Sequence, residues 1–313
     1  MLGVAMTHKG ISFPVGKTDF IDLFPMSFYE FMEAAGERRF LDILTGLDFE
    51  TVSSFKDHYE KLIKEYMFVG GMPEAVRSYT ENHDFEEVSD IHKRLLRSYE
   101  EDFSKHINNG DIPKVRLIWD SISSQLAKPN KKFVYGAMKS GARVKEFENA
   151  MDWLLRTGLV YAVNRVAKPG LPLFAYEDRS SFKLFMLDCG ILCAKTGLEA
   201  RTLLYGSRIF EEYRGALAEQ YVFQELKNAV NLPTAYWEGR SSELDFIMQK
   251  SDKVIPIEVK SGINLKAKSM KAYMDKYSPE YAVRTSLADY RNTGSLYDIP
   301  LYAIAEIIRI LGL

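Results

Sequence analysis

The sequence has little cysteine and no segment suited to a membrane. Its 313 residues include only Cys189 and Cys193, and with no further cysteine nearby we interpret them as buried thiols, not as zinc ligands. Such low cysteine usage is typical of a reducing cytoplasm. No uninterrupted apolar stretch approaches the roughly 18 residues that span a bilayer, and residues 1–9 are too short for a signal peptide and lack its basic start. We therefore expect a cytoplasmic protein that makes no membrane contact.

An excess of charge of either sign is also lacking. The chain has 41 Lys and Arg against 43 Asp and Glu, for a net charge of −2. No global field therefore attracts it to nucleic acid, and any such binding depends on local patches. Apolar residues are abundant: 46% of the residues are hydrophobic and 13% are aromatic. This is enough for well-packed cores in two or three domains.

Residues 10–18 look like a phosphate-binding loop but depart from its pattern. A Walker A loop has four residues between its glycines, whereas five separate Gly10 from Gly16. One of the five is Pro14, which has no N–H to offer a phosphate. Residues 19–25 alternate like a strand, where a phosphate loop would lead into a helix. We expect a plain hairpin here, no ATP site, and no binding or hydrolysis of ATP by residues 1–313.

Three helices are predicted in the part that follows. Residues 27–35 have Ser27 at the N-cap, Glu30 at the capping-box position and a glycine after the last turn. Residues 55–68 and 84–102 have the apolar spacing of amphipathic helices. We interpret all three as packing elements.

The pattern then changes to short helices followed by strands. Residues 114–125 and 144–156 are predicted helices, and residues 135–139 are a brief helical turn between them. Residues 158–163 and 182–187 are predicted strands. Three helical pieces followed by a hairpin is the order of a winged helix, a variant of the helix-turn-helix motif.

Basic residues cluster in the helical half of this region. We expect Lys131, Lys132 and Arg143 to contact phosphates of duplex DNA without sequence preference. A solvated basic face explains the cluster equally well, and winged helices also serve as protein-interaction modules. The whole cluster comprises Lys128, Lys131, Lys132, Lys139, Arg143 and Lys145.

Residues 243–260 contain the pattern that is most informative about chemistry. Two apolar runs, 244–248 and 254–259, flank a polar loop and predict a β-hairpin with a loose connection. Asp245 lies on the first strand. On the second, alternation places Glu258 and Lys260 on one face of the sheet. Paired carboxylates can hold Mg²⁺, and a lysine beside them can act on an attacking water and offset charge on a phosphodiester.

The arrangement D-x12-E-x-K resembles the PD-(D/E)XK nuclease core, in which an acid on the preceding helix often completes the site. That helix is predicted at residues 210–226, with Glu219 near its middle. We expect Glu219, Asp245 and Glu258 to form one acidic cluster closed by Lys260, in which at least one carboxylate titrates above its usual range. Glu243 could replace Asp245 as a ligand. The alternative is a structural salt bridge between Glu258 and Lys260.

The chain as a whole resembles a large prokaryotic family of AAA-type predicted ATPases that have a C-terminal domain of unknown function. The resemblance is carried by residues 12–17, 23–31, 70–76 and 255–260, together with Asp102 at the end of a helix. In that family the P-loop core precedes the segment matching residues 23–31, and here almost nothing does. The resemblance therefore implies a chain without its ATPase core, and a C-terminal domain with the restriction-endonuclease fold.

We therefore expect an α/β-rich (α+β) multidomain protein with a C-terminal nuclease-like domain. Its expected function is DNA binding or DNA processing. The most specific version is Mg²⁺-dependent phosphodiester hydrolysis, with Asp245 and Glu258 as the metal ligands. The expected catalytic residues are Asp245, Glu258, Lys260 and Glu219. The rival is a non-enzymatic regulatory or protein-interaction module of an ATPase. The predicted parts are a remnant of the ATPase core at 1–32, a helical linker at 33–110, a winged helix at 111–195 and the nuclease-like domain at 205–313.

Overall fold

The computed structural model describes residue 19 and residues 21–107, 110–128, 130–206, 211–263 and 268–313. Residues 10–18, which look like a phosphate loop, lie outside them. The described residues form thirteen α-helices and one eight-stranded mixed sheet. The expected mixed α/β class is confirmed.

The first part of the chain is helical. Ser27 caps the first helix, and the capping box with Glu30 is complete, as predicted. The predicted strand at 19–25 is wrong, because residues 21–27 have no regular structure and Ile21 and Leu23 are almost fully exposed. Alternation alone does not form a strand without a partner. The helices are α1 (Phe28–Ala34), α2 (Arg38–Thr45), α3 (Phe49–Ser54), α4 (Lys56–Val69), α5 (Pro73–Asn82) and α6 (Phe85–His106).

The next part has the predicted order of helices followed by strands. A 3-10 turn at Tyr135–Ala137 stands between the two helices, and an isolated bridge joins Lys132 to Lys183. β1 begins two residues later and ends three residues later than predicted, and β2 begins five residues earlier and ends one residue earlier than predicted. The elements are α7 (Ile112–Leu126), α8 (Val144–Arg156), β1 (Val160–Val166) and β2 (Glu177–Met186).

The C-terminal part alternates helices and strands. The longest helix here ends in a π-helical turn at Leu226–Val230, and the last strand leads into a 3-10 segment at Leu301–Glu306. The helices are α9 (Cys189–Thr196), α10 (Ala200–Tyr205), α11 (Glu211–Glu225), α12 (Lys268–Tyr277) and α13 (Ile307–Leu311). The strands are β3 (Thr234–Glu238), β4 (Glu243–Lys250), β5 (Lys253–Val259), β6 (Ala282–Ser286), β7 (Arg291–Thr293) and β8 (Leu296–Pro300).

One sheet joins the two strand-containing parts of the chain. Its order is β2-β1-β3-β4-β5-β6-β8-β7. β1 pairs with β3 in parallel, with Arg165 opposite Tyr236 and Val166 opposite Trp237. The sheet therefore crosses the predicted division between 111–195 and 205–313, and that division stays a prediction.

Helices cover both faces of the sheet. On one face, α11 packs with Tyr221, Val222 and Phe223 against a core that extends into the N-terminal helices. On the other, α12 contributes Met270 and Tyr273 to a smaller core. Both cysteines on α9 are buried and free, as predicted.

Buried carboxylates connect segments that are distant in the sequence. Asp188 accepts hydrogen bonds from the backbone N–H of Gly71 at 2.7 Å and of Ile191 at 3.0 Å. A Cβ on Gly71 would lie 2.1 Å from the carbonyl oxygen of Met26. Only glycine therefore allows these two backbones to approach so closely.

Glu225, at the end of α11, is hydrogen-bonded to the first residue of α1. Its Oε1 accepts a hydrogen bond from the backbone N–H of Phe28 at 3.0 Å and lies 3.4 Å from the Tyr66 hydroxyl, which donates to it. The side chain is fully buried. Burial raises the pKa of Glu225 to about 8, although these hydrogen bonds act in the opposite direction.

Candidate functional site

The β4–β5 hairpin has a tighter turn than its sequence predicts. Gln249 pairs with Val254 and Lys250 with Lys253, which leaves only Ser251 and Asp252 in the connection. The predicted loose loop is therefore wrong. Ser251 takes a positive φ of 52°, a conformation that allows a short turn between antiparallel strands.

Asp245 and Glu258 meet across this hairpin. The ladder ends with Phe246 opposite Ile257, so Asp245 and Glu258 are the next residues on their strands, and side chains that follow one pair in this way share a face. Asp245 Oδ2 accepts a hydrogen bond from the backbone N–H of Val259 at 2.7 Å. The strand register therefore fixes the position of this carboxylate.

Glu258 has a partner for each of its oxygens. Oε1 lies 2.6 Å from Lys260 Nζ, and Oε2 accepts a hydrogen bond from the backbone N–H of Met270 on α12 at 3.1 Å. Burial raises the pKa of Glu258, and the Lys260 ammonium opposes that rise. The predicted pairing of Glu258 with Lys260 on one face is present.

Glu219 reaches the same cleft from α11. It is buried and forms an ion pair with Lys131, while its Oε2 lies 3.8 Å from Lys183 Nζ. Burial and the Asp245 carboxylate raise the pKa of Glu219 to about 7, against the lowering effect of Lys131 and Lys183. A carboxylate that titrates above its usual range is what the sequence predicts for a clustered group.

Lys183 lies among these carboxylates and was not predicted from the sequence. It belongs to β2 and its side chain is fully buried, with Nζ 2.6 Å from Glu243 Oε1 and 4.0 Å from Asp245 Oδ1. Burial alone lowers the pKa of Lys183, but Glu219, Asp245 and Glu243 outweigh burial and raise it. The available sequence signal was a single lysine inside the apolar run 182–187.

The cleft has a volume of about 320 Å³ and is lined by all four predicted site residues, Glu219, Asp245, Glu258 and Lys260. Within the described part of the chain, no group of three or more His, Cys, Asp or Glu side chains is arranged to hold a metal. Ammonium groups lie beside the carboxylates, and backbone N–H groups occupy Asp245 Oδ2 and Glu258 Oε2. These contacts do not test the predicted magnesium site, which stays a prediction.

The three predicted DNA-contacting residues differ in their surroundings. Lys131 pairs with Glu219, and Lys132 Nζ lies 2.8 Å from Glu238 Oε1. Arg143 is exposed immediately before α8. Two of the three cations are therefore engaged with carboxylates of the C-terminal part.

Comparison with known protein families identifies a domain found in AAA-ATPase-associated proteins. Residues 214–304, which include most of α11 and the strands β3 to β8, match the family model described as Domain of unknown function (DUF4143). Residues 60–202 match a second, Domain of unknown function (DUF8612). No curated protein and no solved structure matches the chain. Among the described residues, no helix is long and apolar enough to cross a membrane.

Proposed function

We propose that this chain is a regulatory or protein-interaction module of an ATPase-associated protein, in which a nuclease-like cleft is closed by internal ion pairs. The observation that carries the proposal is the position of Lys183. Its buried ammonium lies within 4.0 Å of Glu219, Glu243 and Asp245. The ammonium of a protein side chain thus lies where these carboxylates converge.

The charges in the cleft support this reading. Four carboxylates, on Glu219, Glu243, Asp245 and Glu258, face three ammonium groups, on Lys131, Lys183 and Lys260. The cleft is therefore close to neutral without an added ion. Removal of one partner from a buried ion pair costs about 3 to 5 kcal/mol, because the other charge is left uncompensated.

The origin of the lysines suggests what the ion pairs do. Lys131 and Lys183 come from the predicted winged helix, whereas Glu219, Glu243 and Asp245 come from the predicted nuclease-like domain. The ion pairs therefore connect the predicted winged helix, whose strands β1 and β2 extend the sheet, to the C-terminal part of that sheet. In this proposal the acidic cluster is a structural clamp: it holds the two parts in one fixed arrangement, and a partner protein binds the surface that they form together.

Replacement of Lys183 by methionine tests the proposal. The side chain keeps a similar length but loses its charge, so we expect the melting temperature to fall by about 10 °C, from the loss of about 3 to 5 kcal/mol. Added Mg²⁺ at about 10 mM should restore part of this loss, because only the folded variant presents uncompensated carboxylates. The same Mg²⁺ should leave the unmodified protein unchanged.

A matched control is Lys195→Gln, which removes another largely buried lysine, paired with Asp120 at 3.0 Å. Its melting temperature should not respond to Mg²⁺. The proposal fails if Mg²⁺ stabilises the unmodified protein and if Asp245→Asn and Glu258→Gln abolish that effect.

A second proposal, Mg²⁺-dependent phosphodiester hydrolysis of DNA, is favoured by one observation. Glu219, Asp245, Glu258 and Lys260 line a single open cleft, as expected from the resemblance to the PD-(D/E)XK core. The test is a nuclease assay on plasmid, linear and branched DNA with Mg²⁺ and with Mn²⁺. Cleavage that is lost in Lys260→Ala would support hydrolysis over the clamp.

A further inference from the structure

A separate cavity lies between α4, α10 and α11, beside the residue that follows Lys260. Its volume is about 210 Å³, and Ser261 and Ala218 form part of its wall. This volume is below the roughly 300 to 1,000 Å³ of pockets for drug-sized ligands. The cavity therefore suits a small molecule or a single side chain.

The polar side chains at this cavity are two basic groups, Lys64 and Arg214, and the hydroxyls of Tyr205 and Ser261. Arg214 on α11 lines it, and the Nε of Arg214 is buried without a hydrogen-bond partner. Within the described residues the Arg214 guanidinium forms no ion pair. Lys64 lies at the same cavity, 3.9 Å from Glu60, and no described Asp or Glu lines the wall. The Arg214 side chain as a whole is only partly buried. Its Nε–H, however, is a buried donor without an acceptor, which is costly, and the positive charge of the group favours an anionic acceptor.

The remaining wall is apolar. Ile63 and Met67 from α4 and Leu203 from α10 line it, together with Leu287 and Leu301. A ligand that fills this space must carry an apolar body next to its charge. One guanidinium presents two parallel N–H donors, which match the two oxygens of a carboxylate.

We propose that this cavity binds a carboxylate attached to a compact apolar group, with the carboxylate on Arg214 and the apolar group against Met67 and Leu203. Two sources share this chemistry. One is a free branched-chain organic acid, and the other is the C-terminal leucine of a peptide. The site is distinct from the lysine-filled cleft and does not depend on the function proposed for it.

Calorimetric titration of the whole chain tests the proposal. The probes are 4-methylpentanoate and a tetrapeptide Ala-Ala-Ala-Leu with a free carboxylate, each beside its amide. We expect saturable binding of at least one acid and at least about tenfold weaker binding of its amide, because a charge-assisted hydrogen bond is lost. Comparison of the two acids distinguishes the free acid from the peptide terminus.

Variants connect the binding to the cavity. Arg214→Gln should weaken acid binding at least about tenfold, whereas Arg240→Gln, an exposed arginine before β4, should not change it. Leu203→Phe fills the cavity, keeps Arg214 and should also abolish binding, so a folding defect in one variant does not decide the result. Equal affinity for acid and amide, undiminished binding in Arg214→Gln, or no saturable binding of either acid would overturn the proposal.

Discussion

Replacement of Glu225 by glutamine should change how the stability of the protein depends on pH. The folded protein holds a proton on Glu225 up to about pH 8, whereas the unfolded chain loses it near 4.5. Between these values the folded state therefore binds one more proton than the unfolded state, and stability falls as pH rises. The slope from this one group is about 1.4 kcal/mol per pH unit.

The magnitude follows from the size of the pKa shift. From pH 5 to pH 8 the contribution of Glu225 to the free energy of unfolding should decrease by about 4 kcal/mol. Glutamine does not titrate, so Glu225→Gln should lack this decrease. Its side-chain oxygen can still accept from the Phe28 N–H, and any cost of burying the extra amide donors is independent of pH. The free energy of unfolding of Glu225→Gln minus that of the unmodified protein should therefore increase steadily with pH.

The assay is urea unfolding at pH 5, 6, 7 and 8, followed by tryptophan fluorescence. Glu86→Gln, at an exposed position on α6, is the matched control and should remain parallel to the unmodified protein. Other titrating groups, including Glu219, are common to all three proteins and cancel in the differences. Parallel pH profiles for Glu225→Gln and the unmodified protein would refute the reasoning.

Three further predictions concern two glycines and the basic residues. Gly71→Ala should lower the melting temperature strongly, because its Cβ would meet backbone at 2.1 Å. Gly215→Ala, inside α11 where a Cβ meets nothing within 4 Å, should instead stabilise by about 0.5 to 1 kcal/mol in thermal unfolding. If the chain binds duplex DNA through Lys131, Lys132 and Arg143, log K should fall by about 0.9 per log unit of salt for each phosphate contact. The triple alanine variant should then bind more weakly in fluorescence anisotropy, and unchanged affinity would exclude these three residues as the contacts.

Features that depend on neighbouring residues were predictable from the sequence. The capping box of Ser27 with Glu30 and the helix at 144–156 are encoded within a few residues of each other. Strand alternation likewise placed Glu258 with Lys260. These predictions needed no knowledge of which segments meet in space.

Features that depend on distant pairing were not predictable. Because β1 pairs in parallel with β3, its neighbour β2 lies near the carboxylates of the C-terminal part. Lys183 on β2 contacts them for this reason, which its local sequence does not indicate. The local sequence predicts that Lys131 contacts phosphate, because nothing in it indicates Glu219, 88 positions away. The polar composition after Met248 predicts a loose loop, since composition does not reveal that Gln249 pairs with Val254 and Lys250 with Lys253.

The continuous sheet also determines where the chain can be cut for study. A fragment that begins after β2 would leave β3 as an edge strand, with unpaired N–H and C=O groups where β1 had been. Such an edge recruits other strands, so the fragment should self-associate. It would also lose Lys131 and Lys183 while it keeps the carboxylates that they neutralise. A fragment that retains α7, α8 and the β1–β2 hairpin is the better choice for isolating the C-terminal part.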